Sequence, residues 1–195
     1  MVDGYTSRIL KAEHLGDLFS SLSVGASDKP NPSIPLTRVA TDGWSEDDEA
    51  TATCYCGAVQ LDFVTGKKGL VNSFVCNYPD SRKLTASKFT SAFIVNDRYL
   101  KHLRGQSNLK AYAQNASIAS HTLMMNHFCD TGWTLMYRVA ERLPGHSLVR
   151  LGAVDNFNLA ETKPRPRTEV FIKYRVGWFL GVPREGVKRH DVSPA

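Results

Sequence analysis

The sequence predicts a mainly β fold, an antiparallel β domain preceded by a short N-terminal helix, and three observations carry that expectation. After Ala50 the chain breaks into short runs rich in β-branched and aromatic residues, separated by turn signals such as Gly105, Pro144-Gly145 and Pro164 to Pro166. Only Arg82 to Phe89 reads as an internal helical turn. No repeat of fixed period interrupts the pattern.

Taken in order, Thr6 to Leu22 sets Leu15, Leu18, Phe19 and Leu22 at helical spacing behind the caps Thr6 and Ser7. Val24 to Thr37, with Gly25, Pro30, Pro32 and Pro35, reads as an irregular connector. Acidic Glu46 to Glu49 leads into the candidate strands: Thr51 to Val64, Leu70 to Cys76, Ser91 to Asn96, Asn108 to Ala113, Ile118 to Cys129, Thr134 to Val139, Ser147 to Ala153 and Thr168 to Tyr174. The organisation expected is a helix and connector over 1–42, a β domain over 43–182 and a tail over 183–195, with Arg184, Lys188 and Arg189 on a solvated end.

With 195 residues, 42% of them hydrophobic and 22% charged, the chain suits one domain with a real core and is too apolar for a disordered segment. A net charge of +5 is too small a bias to argue for nucleic acid. No apolar run approaches the roughly 20 residues that span a bilayer. Met1 to Leu10 lacks the basic-then-apolar pattern of a secretory signal, so a soluble cytoplasmic protein is expected, with no membrane or nucleic-acid partner. A homodimer is left open.

Cys54 and Cys56 stand two apart in an extended run, so both thiols can face one side before Gly57 allows a turn. That is the geometry of a zinc half-site, and Cys129 is the natural third ligand. His127, two residues before Cys129 and on the same strand face, is a candidate fourth ligand, with Asp130 a further one. The alternative is three ordinary buried thiols, because free cysteine behaves as a small hydrophobe.

The stretches TATCYCGAVQLDF (Thr51 to Phe63), FVCNYPDSRKLTAS (Phe74 to Ser87), HLRGQSNLKAY (His102 to Tyr112), NHFCDTGWTLMYRV (Asn126 to Val139) and VGWFLGV (Val176 to Val182) occur in this order. On them the chain resembles the glutathione-dependent formaldehyde-activating enzyme and centromere protein V-like family, particularly its fungal members. The resemblance implies an Mss4-like β fold with two zinc sites: a structural one held by an early C-x-C and a later C-x-x-C, and a catalytic one held by a C-x-C-x-x-C before Arg-Lys. It also implies reversible carbon-sulfur bond chemistry on a glutathione adduct.

Laid on this chain, the structural ligands are Cys54, Cys56, Cys129 and position 132, which is glycine. The catalytic triplet falls on Cys76, Tyr78 and Ser81, ahead of Arg82 and Lys83. A neutral phenol and a serine hydroxyl are poor replacements for two thiolates, and a single cysteine does not hold zinc. The expectation is therefore no cofactor, with zinc confined to a residual structural site.

Function is expected in the vacated pocket: a repurposed, metal-independent enzyme of specialised metabolism. It would catalyse cyclisation or cycloaddition, isomerisation or dehydration of a small aromatic or polyketide-like molecule. The catalytic candidates are Tyr78, Asp80, Ser81 and His121; Tyr78 would polarise an oxygen, and Asp80 or His121 would move a proton. The substrate-binding candidates are Trp133, Arg82 and Cys76. Trp133 would fill the void beside the thiols or form an aromatic wall. His121 shares strand parity with His127 and Cys129 if that strand runs unbroken, whereas His14, His102, His146 and His190 show no convergent partner in the sequence. The competing readings are a zinc-dependent carbon-sulfur lyase and a non-catalytic binding module.

Overall fold

The computed structural model describes residues 34, 40–118, 120–182 and 186–193. The expected helix Thr6 to Leu22 and nearly all of the connector lie outside them.

The acidic entry segment meets its first strand, β1 (Glu49–Thr53), which pairs antiparallel with β2 (Gln60–Val64). Thr51 to Val64, expected as one run, is two strands. The structure turns sharply between them, where Gly57 takes φ 80° and its N–H donates to the Cys54 carbonyl. β2 then pairs with β5 (Leu100–Arg104), completing a three-stranded sheet.

The second sheet has eight strands. Its members are β3 (Leu70–Cys76), β4 (Thr90–Asn96), β6 (Leu109–Gln114), β7 (Met124–Cys129), β8 (Leu135–Ala140), β9 (His146–Arg150), β10 (Thr168–Val170) and β11 (Lys188–His190). Their order is β11-β10-β3-β4-β9-β8-β7-β6, with β10 parallel to both its neighbours and the other pairs antiparallel. The mainly antiparallel β expectation holds. Within the expected tail, β11 pairs along the edge of this sheet with Lys188 and Arg189 exposed.

The principal core is shared by both sheets: Ala50, Ala52, Leu61 and Phe63 from the small one, and Phe93, Val95, Val149 and Tyr137 from the large one. Phe63 and Phe93 meet across it with ring centroids 4.8 Å apart. Partners in a ladder share a face, and faces alternate along each strand. Cys76 opposite Thr90, Ala92 opposite Arg150, and Arg138 opposite both Leu148 and Asn126 therefore lie on the other, outer face. A bulge between Leu70 and Asn72 interrupts the alternation of faces along β3, so that Leu70 joins the core while Cys76 lies on the outer face.

The internal helix α1 spans Pro79–Thr85, earlier than the expected Arg82 to Phe89. Proline in the first turn presets φ and needs no N–H partner. Ala86 in the left-handed region ends the helix, its N–H donating to the Lys83 carbonyl. No described helix is long and apolar enough to cross a membrane.

Candidate functional site

Two separate clusters carry chemistry. The first is the thiol cluster at the β1 and β7 ends. Cys54 and Cys56 sulfurs are 3.5 Å apart, as are those of Cys56 and Cys129, and all three lie within 4.8 Å of one another. Tetrahedral zinc-thiolate geometry separates sulfurs by about 3.8 Å, so the spacing suits three ligands of one ion. Each end of the cluster also receives N–H donors: Val59 N–H to Cys54 Sγ at 3.1 Å, and Gly132 N–H and Asn108 Nδ2 to Cys129 Sγ at 3.3 and 3.4 Å. Such donors favour sulfur carrying negative charge.

Burial pushes the Cys54 thiol up to about 11; the Val59 amide opposes this, while the neighbouring Cys56 and Cys129 add to it. Burial also raises Cys56, but the Ala58 amide and the other two thiols outweigh it, and the net direction is down. Proton loss from the cluster is thus unequal, as expected when one site holds several like charges.

The fourth position of this cluster is Gly132. His127 does not fill it. Two residues along a strand is about 7 Å, and the His127 ring is stacked on Tyr137 with centroids 4.4 Å apart. His102 reaches the same tyrosine, its Nε2 lying 3.3 Å from the Tyr137 hydroxyl, so the sequence reading missed its convergent partner. Asp130 turns to Lys110 instead, at 3.8 Å. Trp133 does not fill a void beside the thiols, being 72% exposed on a left-handed backbone turn with φ 57°.

The second cluster lies on the outer face of the large sheet, where the triplet positions fall. Cys76 is buried, and its sulfur lies 3.5 Å from the hydroxyl of Ser81, itself buried on α1. Tyr78 does not join them. Its hydroxyl donates to the Ser117 carbonyl at 2.7 Å, and its ring packs on Phe171 at 4.6 Å and Tyr174 at 6.1 Å. Asp80 accepts from the Ser117 hydroxyl and from Gln114 Nε2. Arg82 donates to the Tyr174 carbonyl at 3.1 Å and borders an open groove of about 800 Å³ lined also by Lys83, Lys88, Phe89 and Trp178.

His121 is displaced from this constellation. β7 begins only at Met124, and His121 is exposed in the preceding loop with φ 53°, so its expected strand parity with His127 and Cys129 is lost. The physical reason is that β6 ends at Gln114, leaving the first half of the run Ile118 to Cys129 without a ladder partner.

Beside Cys76 stand two residues that the sequence reading did not single out. Arg150, 6% exposed, donates through Nη1 to Thr90 Oγ1 at 3.2 Å, while its Nε and Nη2 have no partner among the described residues. Arg138 donates through Nε to Asn126 Oδ1 at 2.9 Å, leaving the Asn126 amide nitrogen buried and unpaired. Burial first, and then the Arg138 charge, lower Arg150 to about 9, with Cys76 acting in the opposite sense. Burial lowers Arg138 as well, opposed by Cys76 and Asp80. Each buried unpaired polar group costs about 1–3 kcal/mol, more when charged.

Zinc at this second position does not fit the residues present. One thiol faces a hydroxyl, the phenol is committed to a backbone carbonyl, and two guanidinium cations occupy the surroundings where a dication needs thiolates.

The fold and the three-thiol corner together define a β-rich domain with a cysteine cluster that could hold a metal ion. A family model described as glutathione-dependent formaldehyde-activating enzyme matches residues 49–174, and the chain belongs to that family. It is also similar to a Rhodobacter sphaeroides protein of known crystal structure, at 21% identity over 53% of this chain and 85% of that one, with a TM-score of 0.40. No curated protein matches.

Proposed function

We propose that this chain is an enzyme on the family scaffold that works without a catalytic metal, using the outer-face cluster around Cys76, Ser81, Asp80, Arg138 and Arg150. The observation that carries the reading is a buried thiol-hydroxyl pair, at the positions where the family resemblance implies a thiolate triplet, beside the buried Arg150 and the half-buried Arg138. Such a site lacks a Lewis acid but supplies fixed positive charge and hydrogen-bond donors, which stabilise a developing oxyanion.

Asp80, held by Ser117 and Gln114, is positioned as the proton acceptor, and the buried pair Ser81 and Cys76 supplies the short polar groups of the site. The reaction class is isomerisation, dehydration or cyclisation of a small aromatic or polyketide-like molecule, driven by orientation and charge rather than by a nucleophile. Tyr78 contributes by closing the loop after β6 over α1 through Ser117. His121 has no role in this arrangement.

A second reading is favoured by the thiol cluster. Three protein ligands with a fourth position lacking a side chain is the ligand count of a catalytic zinc site. Zinc there would supply a Lewis acid or thiol anchor for the family's glutathione-adduct chemistry. Cys54, Cys56 and Cys129 would hold it, and position 132, being glycine, would contribute no fourth side-chain ligand.

The exchange of formaldehyde with glutathione, followed by NMR with and without protein, separates the two. The proposed function predicts no acceleration, and it predicts that a panel of aromatic acids and polyketide-type precursors is turned over equally before and after chelation, with loss in Ser81→Val and Asp80→Asn. Zinc-dependent acceleration of the glutathione reaction would establish the second reading.

A further inference from the structure

We infer that Arg150, Arg138 and Asn126 form an anion site that takes the carboxylate of a small organic acid. This rests on the outer face being the working site and names the substrate class that it would accept.

The atoms left unpaired are specific. Thr90 occupies Nη1 of Arg150, and the two free groups, Nε–H and Nη2–H, are the side-on edge of the guanidinium. That edge offers two parallel donors, the arrangement that grips a planar carboxylate in two hydrogen bonds. Arg138 stands diagonally across the β8-β9 ladder, about 7–8 Å away by backbone position. By holding Asn126 Oδ1 it fixes the amide with its nitrogen, a third free donor, left over. All the unpaired groups in this cluster are donors.

Charge agrees with geometry. Neither arginine makes an ion pair with a carboxylate among the described residues, and Asp80, the acid that Arg138 senses, is already engaged by Ser117 and Gln114. A buried cation such as Arg150 is ordinarily paired. Among the described residues no carboxylate supplies the counter-charge, and an anionic ligand would. A neutral molecule of the same shape would leave the donors unpaired and would be rejected.

The test uses the full-length protein with benzoate as probe, benzamide as its neutral counterpart and inorganic phosphate as the alternative oxyanion, at constant ionic strength. Benzoate is expected to raise Tm saturably by about 2–4 °C, to shift the Arg Nε–H NMR signals, and to lose at least tenfold in affinity in Arg150→Met and Arg138→Met. Phosphate binding more tightly than benzoate would overturn the carboxylate assignment. An equal response to benzamide, unchanged affinity in both variants, or no response of the wild-type Nε–H signals to either anion would overturn the site itself. If the variants fail to fold, the wild-type NMR titration alone decides. Benzoate binding without turnover of any acid would leave this site standing and defeat the metal-independent enzyme. Chelator-resistant turnover of neutral molecules only would do the reverse.

Discussion

Gly132 presses against Cys56: a β-carbon placed on this glycine would stand 2.8 Å from the Cys56 sulfur. Position 132 thus points directly at the three-thiol corner, and the missing side chain is what leaves that corner three-sided. Gly132→Cys is expected to complete a four-thiolate site and to raise zinc affinity at least tenfold, measured by competition with a chromogenic chelator. Gly132→Ala adds only bulk at that distance and should cost about 1–3 kcal/mol in denaturant unfolding of the metal-free protein. An alanine variant as stable as wild type would show that Cys56 moves freely.

Acid should weaken the fold through two histidines. Burial lowers the pKa of both His102 and His127, and the nearby His102 charge lowers His127 further. A depressed histidine pKa means that the unfolded chain binds protons first. Stability is therefore highest above the ordinary histidine pKa and falls as pH drops through about 6.5, by at most about 1.4 kcal/mol per pH unit for each proton. Below the lowered folded-state values the loss levels off. Replacing His127 with Phe, which keeps the stack on Tyr137, should flatten urea-derived stability between pH 6.5 and 5; an unchanged slope would mean that His127 does not contribute.

Glu169 fastens the edge strands. It is fully buried on β10, accepts from Asn77 Nδ2 at 3.1 Å and from Arg175 at 3.3 Å, and faces Arg189 of β11 at 3.7 Å. Glu169→Gln removes the shared anion of two cations and should destabilise by up to about 3 kcal/mol, water reaching both arginines and limiting the loss. Hydrogen exchange should then speed first in 168–170 and 188–190. Uniform acceleration across the sheet would contradict a role confined to that edge.

The two-sheet core predicts a larger effect at its centre. Phe93 is fully buried against Phe63, so Phe93→Ala should cost about 3–5 kcal/mol, read as a lower denaturant midpoint with an unchanged m value. A cost below 1 kcal/mol would place the core elsewhere.

Much of the scaffold was legible because its strands are written in β-branched and aromatic residues. β5 was missed for the opposite reason: Leu100, His102 and Arg104 are half-buried while Lys101 and Leu103 are exposed, the texture of a lightly packed edge. β11 is made of two cations and a histidine, and the buried Glu169 beside it, with Val187 packed on Val75 and Val182, explains why that segment pairs. The thiol corner could be read from C-x-C plus a later cysteine, since a turn and one ladder suffice to bring them together. Arg138 and Arg150 could not be paired from sequence, because strand register alone makes them neighbours. The available signal was a charge inside an apolar run, in MYRVA and SLVRLG. Trp133 shows the limit of substitution logic: a large residue beside a depleted metal corner turned outward, because the left-handed turn at that position aims it away.

Metal content per chain tests the central claim most directly. Protein purified without chelator or metal-affinity tag, and again after zinc addition and desalting, would be assayed as wild type, Cys56→Ser and Cys76→Ser. No more than one zinc per chain is expected, lost in Cys56→Ser and unchanged in Cys76→Ser, because only the first cluster offers several thiolates. Two zinc ions per chain, or one that disappears with Cys76→Ser, would contradict a metal-independent outer face and return the family's catalytic zinc to the position that the arginines now surround.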